Sequence, residues 1–149
     1  SKKNIKLRKS EKLKENKKIA VQDMNIIIKS RSGQGKYREK LLEECPYCPI
    51  TMVNDERLLV ASHIKPWIKS NNFEKTDPKN GLMLTPTYDK LFDKGFISFK
   101  DDQTLLVSPW LSPMNQKRLG ISTGKKIKML PIEGREKYLA YHREFVFKK

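Results

Sequence analysis

Between residues 57 and 99 the sequence is a tight series of short segments, each closed by its own punctuation, and this ordering restricts the fold more than any other feature. Arg57 to Ile64 (Arg-Leu-Leu-Val-Ala-Ser-His-Ile) is β-prone, and Pro66 stops it. Ser70 to Lys79 is polar and reads as a loop. Gly81 to Leu84 is a second short strand. Pro86 to Lys94 is predicted to be a helix, with Pro near its first turn and Gly95 just past its end. Phe96 to Phe99 and Thr104 to Ser108 predict a hairpin across Lys100 to Gln103. The order is therefore strand, loop, strand, helix around one histidine, His63.

The rest of the chain is plainer. Residues 1 to 20 are Lys-rich and read as a frayed helix or linker, followed by a short apolar run, Met24 to Ile28. Ser30 to Gly35 is a loop by composition. Lys36 to Glu44 fits a short helix with Tyr37, Leu41 and Leu42 on one face. A Pro- and Ser-containing stretch follows the hairpin. Glu133 to Phe147 closes the chain as an amphipathic helix with Tyr138, Leu139, Tyr141 and Phe145 inward. There are no internal repeats.

His63 is expected at the end of its strand, Asn80 at the start of the next, and Asp89 and Asp93 on the helix after it. The spacings are 17, 9 and 4. Residues four apart share a helix face, so the two carboxylates can face one hard cation such as Mg²⁺. A neutral imidazole can take a proton from water, because its ordinary pKa lies near pH 6.5. An amide can hold a loop or the imidazole without titrating. These are the parts of a one-metal phosphodiester hydrolase. The spacing alone also suits a packed histidine and two solvated carboxylates.

The length, 149 residues, is that of one domain or a small domain with a tail. Lys plus Arg number 32 against 17 Asp plus Glu, a formal charge of +15, of which residues 1 to 40 hold +10. A basic segment on a globular body points to a polyanion: DNA, RNA or an anionic membrane face. A solvated, partly helical tail accounts for the charge equally well. No apolar run approaches the roughly 20 residues that span a bilayer, and the opening residues have no secretion signal behind them. Two cysteines cannot staple a domain of this size, so a reducing, cytoplasmic setting is expected.

The residue strings go further than the spacing. Leu58-Leu-Val-Ala-Ser-His-Ile-Lys-Pro-Trp67, Asn80-Gly-Leu-Met-Leu-Thr-Pro86 and Asp89-Lys-Leu-Phe-Asp-Lys-Gly-Phe-Ile-Ser-Phe99 resemble the HNH endonuclease family, in particular the branch found in restriction and modification-dependent nucleases. The resemblance extends upstream to Gly33-Gln-Gly-Lys-Tyr-Arg38 and Cys48-Pro-Ile-Thr51, and downstream to Tyr138-Leu-Ala-Tyr-His-Arg-Glu-Phe-Val-Phe147. It implies an α+β fold with a ββα-metal core around one divalent cation, flanking helices and a small hairpin. Residues 1–30 would be a basic N-terminal helix or linker and residues 31–149 the endonuclease domain. His63 matches the base that activates water, Asn80 the residue that steadies its loop, and Asp89 the last metal ligand. An Asp there suits Mg²⁺ or Mn²⁺ and argues against Zn²⁺ or Ni²⁺. Ser62 departs from the family, which often has a ligand before the base. Asp93 is either a further ligand or a pin within the helix.

The implied reaction is hydrolysis of DNA to 5′-phosphate and 3′-hydroxyl ends. One site cuts one strand, so a double-strand break requires a homodimer or two encounters. Arg31, Lys36, Arg38, Lys65, Lys90 and Lys94 are the expected contacts to the DNA backbone. Trp67 is expected in the core, and His142 is expected to pack or hydrogen-bond on the last helix. Cys45 and Cys48 look like half of a zinc knuckle, but the second ligand pair is missing, so Zn²⁺ is not expected there. The Lys-rich start suggests the C-terminal part of a larger nuclease, with a prokaryotic origin. A nucleic-acid-binding module on an inactive nuclease fold is the alternative, and an RNA-directed enzyme a weaker third.

Overall fold

The computed structural model describes residues 8–17 and 34–149. The chain divides into two compact units, residues 1–36 and 37–149. In the first, residues 8–17 form a helix whose side chains are all exposed. The run Met24 to Ile28 and Arg31 lie outside the described residues.

Helix α1 spans residues 34–44 and so begins inside the stretch predicted as loop. Its Tyr37 and Leu41, one turn apart, are buried, and Leu42 is half-buried. The strand predicted from Arg57 starts later than expected. Asp55 accepts a hydrogen bond from the Arg57 amide and winds Glu56–Leu58 into a 3-10 turn. Strand β1 is then Val60–His63. It pairs antiparallel with β2, Gly81–Leu84, in a register that sets Val60 opposite Leu84 and His63 opposite Gly81. All four residues of β2 are buried.

The connection between these strands is not a plain loop. Asn71 accepts from the Glu74 amide while the Glu74 carboxylate accepts from the Asn71 amide. This capping box nucleates helix α2, Asn72–Thr76, and a 3-10 turn at Pro78–Asn80 follows. Helix α3, Pro86–Asp93, packs on both strands. Gly95 ends it with φ 75°, and a Cβ there would collide with the Val146 carbonyl.

Strands β3, Ile97–Phe99, and β4, Leu105–Val107, form the expected hairpin. The Pro- and Ser-containing stretch holds a helix the composition concealed, α4, Pro113–Leu119, capped by Ser112 and closed by Gly120. Helix α5, Glu136–Tyr141, runs into one π turn, His142–Val146. Tyr138 and Leu139 face inward as expected, and Tyr141 is half-buried. Phe145 does not face inward: it is 69% exposed, and His142 is buried instead. A π turn holds more residues than an α turn, so the apolar stripe no longer follows the 3.6-residue period.

The fold of residues 37–149 is α+β, with two small antiparallel sheets. Leu59, Ile64, Met83, Phe92, Phe99 and Leu105 belong to one core under β1, β2 and α3. Deleting the Phe92 ring would cost about 3–5 kcal/mol. Arg135, 2% exposed, is a buried cation satisfied from several sides. Its guanidinium donates to the Gly81 carbonyl at 3.0 Å, to Glu44 at 3.2 Å and to the Pro78 carbonyl at 3.4 Å. It ties the start of α5 to the start of β2. No helix among the described residues is long and apolar enough to cross a membrane.

Candidate active site

The site is organised by Asn80, whose side chain is fully buried. Its carbonyl accepts from the Lys65 amide at 2.8 Å, and its NH₂ donates to the Glu74 carbonyl at 3.0 Å and to Ser70 Oγ at 3.3 Å. One amide thus fixes residues 65–74 against the start of β2. Lys75 comes next, and its carbonyl meets His63 Nε2 at 2.8 Å.

That contact decides the tautomer. A carbonyl only accepts, so Nε2 carries the proton and the neutral ring keeps its lone pair on Nδ1. Every buried polar side-chain atom among the described residues has a partner. Nδ1 has no hydrogen-bond partner among the described residues. Burial holds the His63 pKa below its usual value, outweighing the opposing hydrogen bond to Lys75. The ring is therefore neutral at pH 7. On one face it stacks against Tyr37, with centroids 4.2 Å apart and planes within 10°.

Asp89 and Asp93, one turn apart on α3, line a cleft of about 470 Å³ together with Ser62, His63, Pro66, Trp67 and Ile68. The sequence-predicted base and both carboxylates are thus in one place. Ser62, a poor ligand by its chemistry, instead donates a hydrogen bond to Asp89 Oδ1. Asp93 is exposed and makes no hydrogen bond or ion pair among the described residues. The donors in the cleft are oxygens, which fit a hard cation held by one or two carboxylates and completed by water or phosphate. They do not fit a closed all-protein cage: among the described residues, no three His, Cys, Asp or Glu side chains converge closely enough to hold an ion.

The expected backbone-contacting cations divide. Lys36, Lys90 and Lys94 are exposed. Arg38 is committed elsewhere: its guanidinium donates to the Leu59 carbonyl at 2.7 Å and the Glu56 carbonyl at 2.6 Å, bracing the lead into β1. Lys65 is likewise engaged, 3.0 Å from both Glu74 oxygens, in a pair 20% and 14% exposed, and 5.0 Å from the Tyr141 ring. Both were expected at phosphate, and both find nearer acceptors inside the fold. Trp67 is not a core residue: it is 38% exposed at the cleft, with Lys75 Nζ 4.0 Å above its ring.

His142 packs as expected, stacked on Phe92 at 3.9 Å. Nε2 donates to the Phe92 carbonyl, so Nδ1 accepts from Ser98 Oγ at 2.7 Å. Cys45 and Cys48 are both buried and not in a disulfide. Cys45 Sγ lies 4.0 Å from the Arg135 guanidinium and Cys48 Sγ 3.9 Å from Thr85 Oγ1.

Sequence reasoning missed Tyr37, Glu74, Lys75 and the bonding role of Ser62. The Asn71-x-x-Glu74 pattern was a readable cap signal for the first stretch. Nothing local could have placed Tyr37 on His63.

Two paired strands followed by a helix thus bring a histidine and two helix carboxylates to one cleft. The family model for HNH endonuclease matches residues 48–100, the segment that holds β1, α2, β2 and α3. Over that segment the resemblance to the HNH endonuclease family is shown, and nuclease hydrolysis is the class of activity it indicates. No curated protein matches the chain.

Proposed function

We propose that the chain is a DNA endonuclease of the HNH type that requires one divalent cation, Mg²⁺ or Mn²⁺, and serves a restriction or modification-dependent system. The observation that carries this reading is His63: its Nε2 is occupied by the Lys75 carbonyl, its Nδ1 has no partner among the described residues, and the residue lines the same cleft as Asp89 and Asp93.

Nδ1 takes a proton from a water molecule, and the water oxygen attacks phosphorus. The Lys75 carbonyl accepts from Nε2–H and stabilises the imidazolium that forms. Asn80 keeps that carbonyl in place through residues 65–74. Ser62 orients the Asp89 carboxylate, leaving its second oxygen for a cation. Asp93 is a second ligand rather than a pin, since its side chain makes no hydrogen bond or ion pair among the described residues. A bound cation would offset charge on the departing 3′ oxygen. Lys90 and Lys94, exposed on and just beyond α3, attract the phosphate backbone, with Lys36 and Arg31 upstream. Two copies or two encounters make a double-strand break.

Incubating the purified chain with modified and unmodified plasmid across a metal series tests the reading. Conversion of supercoiled to nicked and linear DNA is expected with Mg²⁺ or Mn²⁺ and not with chelator. A second reading is a binding module on an inactive fold, favoured by the small number of converging ligands. DNA binding without cleavage under every metal would select it.

A further inference from the structure

Tyr37 on α1 has no part in the reaction as described, yet its ring lies directly against His63. Tyr37 is 2% exposed. Its ring covers one face of the His63 imidazole, nearly parallel at 4.2 Å. Its hydroxyl donates to the Asn80 carbonyl at 2.7 Å. The same carbonyl accepts from the Ile64 amide at 3.3 Å, the residue after the base. Gly81 opposite His63 has extended backbone, φ −162°, so conformation does not require glycine there. Space does: a Cβ at Gly81 would collide with the Tyr37 hydroxyl. Next to Tyr37, Arg38 holds the carbonyls of Glu56 and Leu59 just ahead of β1.

We propose that Tyr37 is a positioning residue for the His63 base, a rigid floor that fixes the plane of the imidazole and, through Asn80, the strand end that carries it. The inference rests on His63 being the base. The ring needs this support because its one hydrogen bond among the described residues, to Lys75, still allows it to swing about that contact. A flat partner on one face removes the swing and leaves Nδ1 aimed at a single spot. Burial pushes the Tyr37 phenol far above its usual pKa, so the hydroxyl stays a donor at any working pH. Misplacement of a reacting group by about 1 Å can cost on the order of 100-fold in rate.

The experiment uses the full chain with Tyr37→Phe and Tyr37→Met, beside His63→Ala. Proton NMR reads the His63 ring resonances, which are simple to assign because the chain has two histidines. Single-turnover plasmid cleavage reads the rate, and fluorescence anisotropy reads DNA affinity. In the wild-type protein the His63 ring protons should lie upfield, shifted by the Tyr37 ring current. Tyr37→Phe keeps the ring, and should keep that shift and at least about a third of the rate. Tyr37→Met fills similar space without a ring. It should lose the shift and roughly ten- to 100-fold in rate, with DNA affinity and metal requirement unchanged. A Tyr37→Met protein that cuts at the wild-type rate overturns the inference. So does a wild-type spectrum with no upfield shift, which decides the matter even if Tyr37→Met does not fold. Cleavage by His63→Ala at the wild-type rate is a different failure: it removes His63 as base and leaves the ring-current result standing.

Discussion

At the residue scale, His63 Nε2 is anchored on Lys75 while Nδ1 has no partner among the described residues, so under the proposed mechanism replacing the ring should remove chemistry without removing affinity. His63→Ala is expected to lose plasmid cleavage while binding DNA within about twofold of wild type, because affinity comes from Lys and Arg. Cleavage at the normal rate would show that another group activates the water. The carboxylates behave differently. Asp89→Asn keeps the acceptor for Ser62 but loses the full charge, so it should need more Mg²⁺ for the same rate, with partial recovery at high Mn²⁺. Asp93→Asn should also raise the metal requirement and leave the melting temperature unchanged, since nothing among the described residues is bonded to that side chain. A melting temperature lowered at constant metal requirement would make Asp93 a structural residue after all.

At the scale of elements, the π turn after the last helix holds a buried histidine against α3, bonded to the Phe92 carbonyl. Burial pushes the His142 pKa down to about 4, against roughly 6.5 in an unfolded chain. The unfolded state therefore takes up a proton before the native state does. The stabilisation is complete above pH 6.5 and is lost as the pH falls from there towards 4, on the order of 3 kcal/mol in all. Urea unfolding between pH 7 and 4.5 should show this fall, and His142→Gln should flatten it. A pH dependence identical in wild type and variant would place the titration elsewhere. Elements with strong periodicity or punctuation, such as β2, α3 and the hairpin, were legible in the sequence. Helices α2 and α4 were not, because short polar helices are held by caps at Asn71 and Ser112 rather than by an apolar stripe. The face of the final helix was misjudged at Phe145 for a comparable reason: a single π turn breaks the periodicity on which such a reading depends.

For the whole molecule, charge and chemistry are carried by different stretches of sequence. Residues 8–17 bury nothing, so deleting residues 1–20 should leave the melting temperature within about 2 °C of the full chain, the small change expected away from core features. If that segment grips DNA, the deletion weakens binding and reduces the slope of log affinity against log salt. An unchanged slope identifies a passive tail. The continuous strings drew attention to His63, Asp89 and Asp93, which the structure brings to one cleft, and to Asn80, which it buries. The candidate site was not legible where it depends on residues distant in sequence, as with Tyr37 behind His63, or on competition between acceptors, as with Lys65 and Arg38.

The two thiols offer a practical consequence. Cys45 is 6% exposed and Cys48 fully buried, where the end of α1 meets Arg135 and Thr85. Cys45 lines an open cavity of about 420 Å³, whereas an alkylating reagent can reach Cys48 only when that junction opens. The labelling rate of Cys48 in the unmodified protein is therefore a clock for local opening, read by mass spectrometry without any probe. A cysteine placed at exposed Lys12 should label at once and serve as the internal standard. A DNA duplex that binds the folded chain should slow the clock at Cys48, because a ligand that prefers the closed state suppresses opening.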